Sequence, residues 1–283
     1  MDMQKLHIVT DSTAHIPDAL CQELDIQVIP MLYVWEGESY SDFDIGPREF
    51  YAKLRNSKTI PQTSNPTPKA FKEEYDKLET DGKPVLLITI GNAFSRTFEA
   101  AVLAKEMVSE VNVTVFDSGL TSMGLGFLVL AAARAARDGK DLDEVLEILE
   151  RVKGNTAVIS ALPHIKYLLR GGRANHLQYF LATALNLIPI VETKEGAITA
   201  VERVRHDRNV IPRLLELLSE RVKEERPLRI AVEHVDAESK AWELAKQVRQ
   251  RFSPDELITS EVTPTLGSHT GPDTIGLAYS SGY

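Results

Sequence analysis

Apolar and polar positions along the chain alternate between two spacings. Three short β-branched runs, "LHIVT" (6–10), "VLLITI" (85–90) and "VTVFD" (113–117), each lead through a small polar turn into a helical pattern. Those helical stretches are "PDALCQEL", "RTFEAAVLAKEMV" and "MGLGFLVLAAARAARDG". Buried strand, polar turn and helix, repeated, predict parallel βαβ units. Between the first two units, "IQVIPMLYVWEGESY" predicts one or two further strands turning at Glu36-Gly37-Glu38. A polar loop and a helix follow over Asp42 to Arg55, with Pro47 at the first helical position, where its missing N–H has no bond to lose.

A helix from about Asp141 to Lys153 closes at Gly154-Asn155, and the pattern then changes. "TAVISAL" reads as a strand, "PHIKYLLRGG" as a short helix, "ANHLQYFLATAL" as a helix, and "IPIVETKEGAITAVERV" as a hairpin turning at Glu195-Gly196. A helix over Asn209 to Glu224, the strand "LRIAVEHV", a helix over Glu238 to Phe252 and a final strand near "LITSEV" complete the reading. The expected architecture is α/β in two domains. Residues 1–154 form an N-terminal domain with a mainly parallel sheet flanked by helices, and residues 155–283 a C-terminal α/β domain. The length of 283 residues suits two domains of ordinary size.

Composition narrows the class of partner. Hydrophobic residues make up 43% and charged residues 26%, the balance of a globular protein with a full core. A net charge of -9 argues against nucleic acid, which needs a basic face. The single cysteine, Cys21, excludes an internal disulfide and reads as a packed thiol in a reducing compartment. The N-terminus carries no secretory h-region, and the longest apolar run, Met123 to Ala133, is too short to cross a bilayer. A cytoplasmic protein is expected.

In an open α/β sheet, ligands bind beyond the carboxyl ends of the strands. Three small polar turns take that place here: Asp11-Ser12-Thr13, Asn92 to Thr97, and Asp117 to Ser122. Ser95, just before a helix, reads as its N-cap or as a hydroxyl offered to an anion beside the helix N-terminus. "PQTSNPTPKAF" (61–71) holds Thr63, Ser64 and Asn65 between prolines, a stiff, polar, non-helical segment suited to clamping a ligand. "LLRGGRAN" (168–175) places Arg170 and Arg173 around paired glycines, either a helix end with solvated arginines or a turn whose N–H groups converge. "LGSHTGP" (266–272) places His269 in a glycine-flanked loop. No G-x-S-x-G elbow, Walker-A sequence or H-E-x-x-H is present, and "GLG" at 124–126 lacks the third glycine of a dinucleotide loop. The seven histidines have no metal-ligand spacing, so no metal is expected.

Taken in order, "IVTDSTAHIP", "PQTSNPTP", "NAFSRTFEAA", "VFDSGLTSMGLG", "IKYLLRGGRAN", "ERVR" and "GSHTGP" resemble the motifs of the DegV family, the fatty-acid-binding proteins that serve bacterial fatty acid kinase. The resemblance covers nearly the whole chain. It implies two α/β domains with a lipid at their junction and no cofactor besides a bound fatty acid. It further implies a non-catalytic, cytoplasmic lipid-binding subunit that hands a long-chain acid to a separate ATP-dependent kinase for acyl-phosphate formation, in service of phospholipid synthesis. Peripheral contact with a membrane during lipid exchange goes with that role. By the same resemblance Thr63 and Ser95 hold the carboxylate, with His269 near the head group. Asn92, Arg96, Arg173 and Arg205 are expected as head-group neighbours or at the partner-docking rim. Arg96 stands where the family has glycine, Gly91-Asn92 where it has paired serines, and Arg203 where it has lysine. Two alternatives stay open: a hydrolase or acyltransferase with Ser95 as nucleophile and His269 as base, and a lipid sensor that only binds.

Overall fold

The computed structural model describes residues 5–78, 82–108, 111–172, 187–222 and 225–282. The three β-branched runs become β1 (His7–Asp11), β6 (Val85–Thr89) and β7 (Val113–Asp117), which with β2 (Ile26–Ile29) form a sheet of order β2-β1-β6-β7. Every pairing in it is parallel. Such a sheet must be covered on both faces, which is why its central strands read as apolar runs without alternation. Val9, Val85 and Leu87 face α3 (Pro68–Leu78) and α4 (Thr97–Lys105), through Phe71, Tyr75, Ala100, Ala101 and Ala104. Ile8, Leu86 and Ile88 face the other way, onto α5 (Ser122–Arg137), which α6 (Leu142–Gly154) covers in turn. Cys21, in α1 (Asp18–Glu23), packs at the edge of that core, and burial ahead of Asp18 pushes its thiol up to about 11.

A second, six-stranded sheet has the order β10-β9-β8-β13-β11-β12. Its members are β8 (Thr156–Ala161), which α7 (Ile165–Gly171) follows, β9 (Ile188–Lys194), β10 (Ala197–Val204), β11 (Leu228–His234), β12 (Glu256–Glu261) and β13 (Ile275–Ser281). Only β11 and β12 pair in parallel. Its outer face carries Ala157, Ile159, Ile230, Val232, Ile275 and Leu277 against α8 (Val210–Arg221) and α9 (Glu238–Phe252). On the inner face, Val158, Ala231 and Ala278 meet α5, so that helix lies between the two sheets and is buried nearly all round. Gly124 and Gly126 explain how it fits. A Cβ at Gly124 would sit 2.7 Å from a Val158 methyl, and one at Gly126 2.5 Å from the Ala14 carbonyl oxygen. The "GLG" triplet is thus a packing feature inside a helix.

A third sheet, β4-β3-β5, joins β3 (Leu32–Trp35), β4 (Glu38–Ser41) and β5 (Gln62–Ser64) in antiparallel fashion. It packs Tyr33 and Trp35 on Phe50 and Tyr51 of α2 (Pro47–Asn56).

The polar, non-helical segment between the prolines includes a short edge strand, β5, with Thr63 opposite Tyr33. Two expectations are corrected. The chain does not end its strands near "LITSEV": β13 inserts between β8 and β11 and is buried along its whole length. His269 does not sit in a loop but in the last turn of a short helix, α10 (Pro264–Thr270), followed by Gly271. The expected helix "ANHLQYFLATAL" falls outside the described residues. Among the described residues no helix is long and apolar enough to cross a membrane.

Candidate functional site

The turns after β1, β6 and β7 are stapled to one another by carboxylates. Asp11 Oδ2 accepts the Ile90 N–H at 2.8 Å while its Oδ1 accepts the Thr13 N–H at 3.0 Å. Asp117 Oδ1 accepts the N–H groups of Asn92 (2.9 Å) and Gly119 (3.0 Å). Burial raises the Asp11 carboxyl above its ordinary value, against the pull of those donors. Beyond the turns, facing the inner side of the six-stranded sheet, lies a cavity of about 570 Å³. That is ample for a small-molecule ligand, such pockets typically holding roughly 300–1,000 Å³. Apolar side chains line one part of it, among them Val158, Leu162, Leu168, Val191 and Ile198. Hydroxyls line another part, Thr63, Ser95, Thr121 and Ser160 among them, with Asn92, Arg96 and Glu233 also on the wall.

At one margin Thr63 Oγ1 meets His269 Nε2 at 2.8 Å. Distant groups prop this pair. Asp42 accepts the Thr265 N–H near the start of α10 at 2.7 Å and the Ser12 hydroxyl at 2.6 Å, and the Met31 N–H donates to Ser12 Oγ. Burial pushes the Asp42 carboxyl up, its hydrogen bonds opposing. Tyr51 donates its hydroxyl to the Val262 carbonyl and packs where a Cβ at Gly267 would collide with its ring.

Ser95 lies at the same cavity, its hydroxyl 2.7 Å from Thr97 Oγ1, which in turn reaches the Met31 sulfur at 3.6 Å. Ser95 is not the N-cap of α4. That position is Arg96, which makes no side-chain capping bond, so the helix N-terminus opens beside the cavity without a side-chain cap from that residue. The start of α5 is treated differently. Glu233, from the other sheet, accepts the Ser122 hydroxyl (2.5 Å) and the Met123 N–H (3.0 Å) on Oε1. His15 Nε2 accepts the Thr263 N–H at 3.2 Å, which leaves the ring proton on Nδ1 to donate to the same Oε1 at 3.0 Å.

The family model described as "Uncharacterised protein, DegV family" matches residues 5–282. This chain belongs to the DegV family. A DegV-family protein of Thermus thermophilus, whose structure is described as showing fatty acid binding, is 31% identical, with a TM-score of 0.92 over 98% of this chain and 99% of that one. DegV of Bacillus subtilis, described as a fatty acid binding protein, is 27% identical with a TM-score of 0.91 over 98% and 99%. A Thermotoga maritima relative named "Fatty acid-binding protein" is 31% identical over 278 residues, 96% of either chain.

Of the residues expected at a DegV-type site, Thr63, Ser95, His269, Asn92 and Arg96 all line the one cavity. Arg96 is nearly free of the surface, its side chain 86% exposed and only 4.0 Å from Glu99. Arg205 does not line the cavity; it is exposed just past the end of β10. Arg173 falls outside the described residues. Ser95 and His269 have separate partners, Thr97 and Thr63, rather than the nucleophile–base bond an esterase reading asks for. Among the described residues no group of His, Cys, Asp and Glu side chains could hold a metal. The sequence reading placed Thr97 only at the end of a polar turn, and it missed Met31 and Glu233. Glu233 did leave a signal, an acid directly after the apolar run Ile230 to Val232 in "LRIAVEHV".

Proposed function

We propose that this chain binds a long-chain fatty acid in the cavity, carboxylate toward Thr63 and Ser95, and presents it to a separate ATP-dependent kinase that forms the acyl phosphate. The observation that carries the reading is one cavity joining an apolar wall to two neutral hydroxyls, Thr63 and Ser95, each backed by a second polar group, His269 and Thr97. A fatty acid needs both. With a carboxylate bound, His269 Nε2–H donates to Thr63 Oγ1, which frees the Thr63 O–H to donate to the ligand. Thr97 does the same for Ser95, turning its proton from the Met31 sulfur to Ser95 Oγ. The open N-terminus of α4 adds N–H groups and a positive dipole end. Arg96 reaches the mouth from solvent and adds a screened contact at most. Burying the tail supplies most of the affinity, at about 0.8 kcal/mol per CH₂, against about 1 kcal/mol net per hydrogen bond.

The cavity takes its lining from both sides of Gly154, in keeping with a lipid held between residues 1–154 and 155–283. Such a carrier works in the cytoplasm, touching a membrane only to exchange lipid. Titration of octadecanoic acid into delipidated protein tests the binding step, and Thr63→Ala/Ser95→Ala should weaken it. Incubation with ATP and the acid tests the division of labour. Acyl phosphate should form only when a cognate kinase is added; its formation by this chain alone would refute the carrier role.

A further inference from the structure

The floor of the cavity includes one row of the six-stranded sheet, and its polarity changes across the row. Register places Val191 beside Ser160, Ser160 beside Gly276, and Gly276 beside Glu233, so the four positions share one face across β9, β8, β13 and β11. At a strand spacing of about 4.8 Å the row spans roughly 14 Å. The Val191 end is apolar and packs with Leu162 and Leu168. The other end is Glu233, 3% exposed and part of the cavity wall.

Glu233 uses its two oxygens unequally. Oε1 takes the Ser122 hydroxyl, the Met123 N–H and His15 Nδ1–H. Oε2 is buried and has no hydrogen-bond partner among the described residues. Gly276 keeps this corner open, since a Cβ there would lie 2.7 Å from Ser160 Oγ. A buried acceptor without a donor costs free energy, and an alkyl chain laid across it cannot supply one. A hydroxyl can, because it donates to Oε2 and offers its own oxygen to Ser160.

We propose that the Glu233–Gly276–Ser160 corner is a second polar subsite, which takes a hydroxyl carried on the acyl chain away from its carboxyl end. The cavity then prefers a hydroxylated fatty acid to the unsubstituted acid of equal length. This rests on the fatty-acid reading above and adds a ligand class to it.

Delipidated full-length protein titrated with octadecanoic acid and with hydroxyoctadecanoic acids differing in hydroxyl position tests the proposal. At least one hydroxylated isomer should bind about fivefold or more tightly than octadecanoic acid, the worth of one net hydrogen bond. That ratio should shrink in Glu233→Gln, where an amide donor replaces the acceptor, or in Ser160→Ala, which leaves the Glu233 bonds to α5 in place. Weaker or equal binding of every hydroxylated isomer overturns the subsite while leaving fatty-acid binding intact. A ratio that survives both substitutions overturns the assignment to this corner. If octadecanoic acid and all its hydroxylated forms fail to bind, the fatty-acid reading itself falls and the subsite with it.

Discussion

At the mouth of the cavity, Thr63, Ser95 and His269 come from a three-residue edge strand, a turn and a seven-residue helix. On the floor, Val191, Ser160, Gly276 and Glu233 come from adjoining strands of a six-stranded sheet. Floor positions are fixed by backbone ladder hydrogen bonds between neighbouring strands. Mouth positions have no ladder of that extent and depend on Asp42, Tyr51 and Thr97 reaching in from elsewhere. The apolar body can therefore supply affinity while the mouth supplies orientation, and the two should respond differently to change.

The largest expected effect lies in the body. Shortening the ligand from octadecanoic to decanoic acid removes eight methylenes, worth about 6 kcal/mol at ~0.8 kcal/mol each. Calorimetry with the two acids checks this; near-equal affinities would show that the tail is not buried here. Next comes Gly267→Ala. Its Cβ would collide with the Tyr51 hydroxyl and ring, so α10 and α2 must part. A loss of about 1–3 kcal/mol in unfolding free energy is expected, as for overpacking generally, together with displacement of His269. Denaturant melts read the first, and the His269 ring signals in NMR spectra the second.

Smaller still are Thr63→Ala and Ser95→Ala, each expected to weaken fatty-acid binding by about 1 kcal/mol. Thr97→Val, which keeps the shape and removes the hydroxyl, should cost a similar factor that Thr97→Ser restores. A Thr97→Val protein binding as tightly as wild type would mean that Ser95 needs no backing donor.

The smallest effect concerns the clamp outside the mouth. Arg55 of α2 bonds Asp236 and Asp273, which flank β11 and β13. Its hydrogen bonds hold the Asp273 carboxyl below the usual range, His164 assisting. The folded state thus binds the Asp273 proton less tightly than the unfolded chain does. Its stabilisation is present above the ordinary Asp value of about 3.9 and is lost as pH falls through the lower folded value. Because Arg55 and Asp273 are about a third exposed, Arg55→Met should cost less than about 1 kcal/mol at neutral pH. Asp11 and Asp42, raised by burial, change with pH in the opposite direction but in both proteins alike. The difference between wild type and Arg55→Met should therefore vanish on acidification.

The same contrast decides what was legible in the sequence. The parallel strands β1, β6 and β7 announced themselves as β-branched runs with a turn and helix behind each. The helix Glu238–Phe252 and the hairpin turn at Glu195-Gly196 were legible from amphipathic period and turn chemistry. β13 was not, because "IGLAYSS" is covered on both faces and shows neither alternation nor a long apolar run. α10 was hidden by Gly267, Thr265 and Thr270, poor helix formers held in place by Asp42 and Tyr51 from far along the chain. Thr63 and Ser95 could be named from local motifs. The bond from Thr63 to His269 spans 206 positions and is a property of the fold alone.

The most direct test of the account is native mass spectrometry of the purified protein, followed by solvent extraction and identification of what is released. The account predicts one fatty acid per chain in the wild type and, with both proteins offered the same limiting acid, a smaller bound fraction in Thr63→Ala/Ser95→Ala, whose two losses of about 1 kcal/mol weaken binding roughly thirtyfold. A wild-type chain that carries no lipid, and takes up none when offered fatty acids, would contradict it.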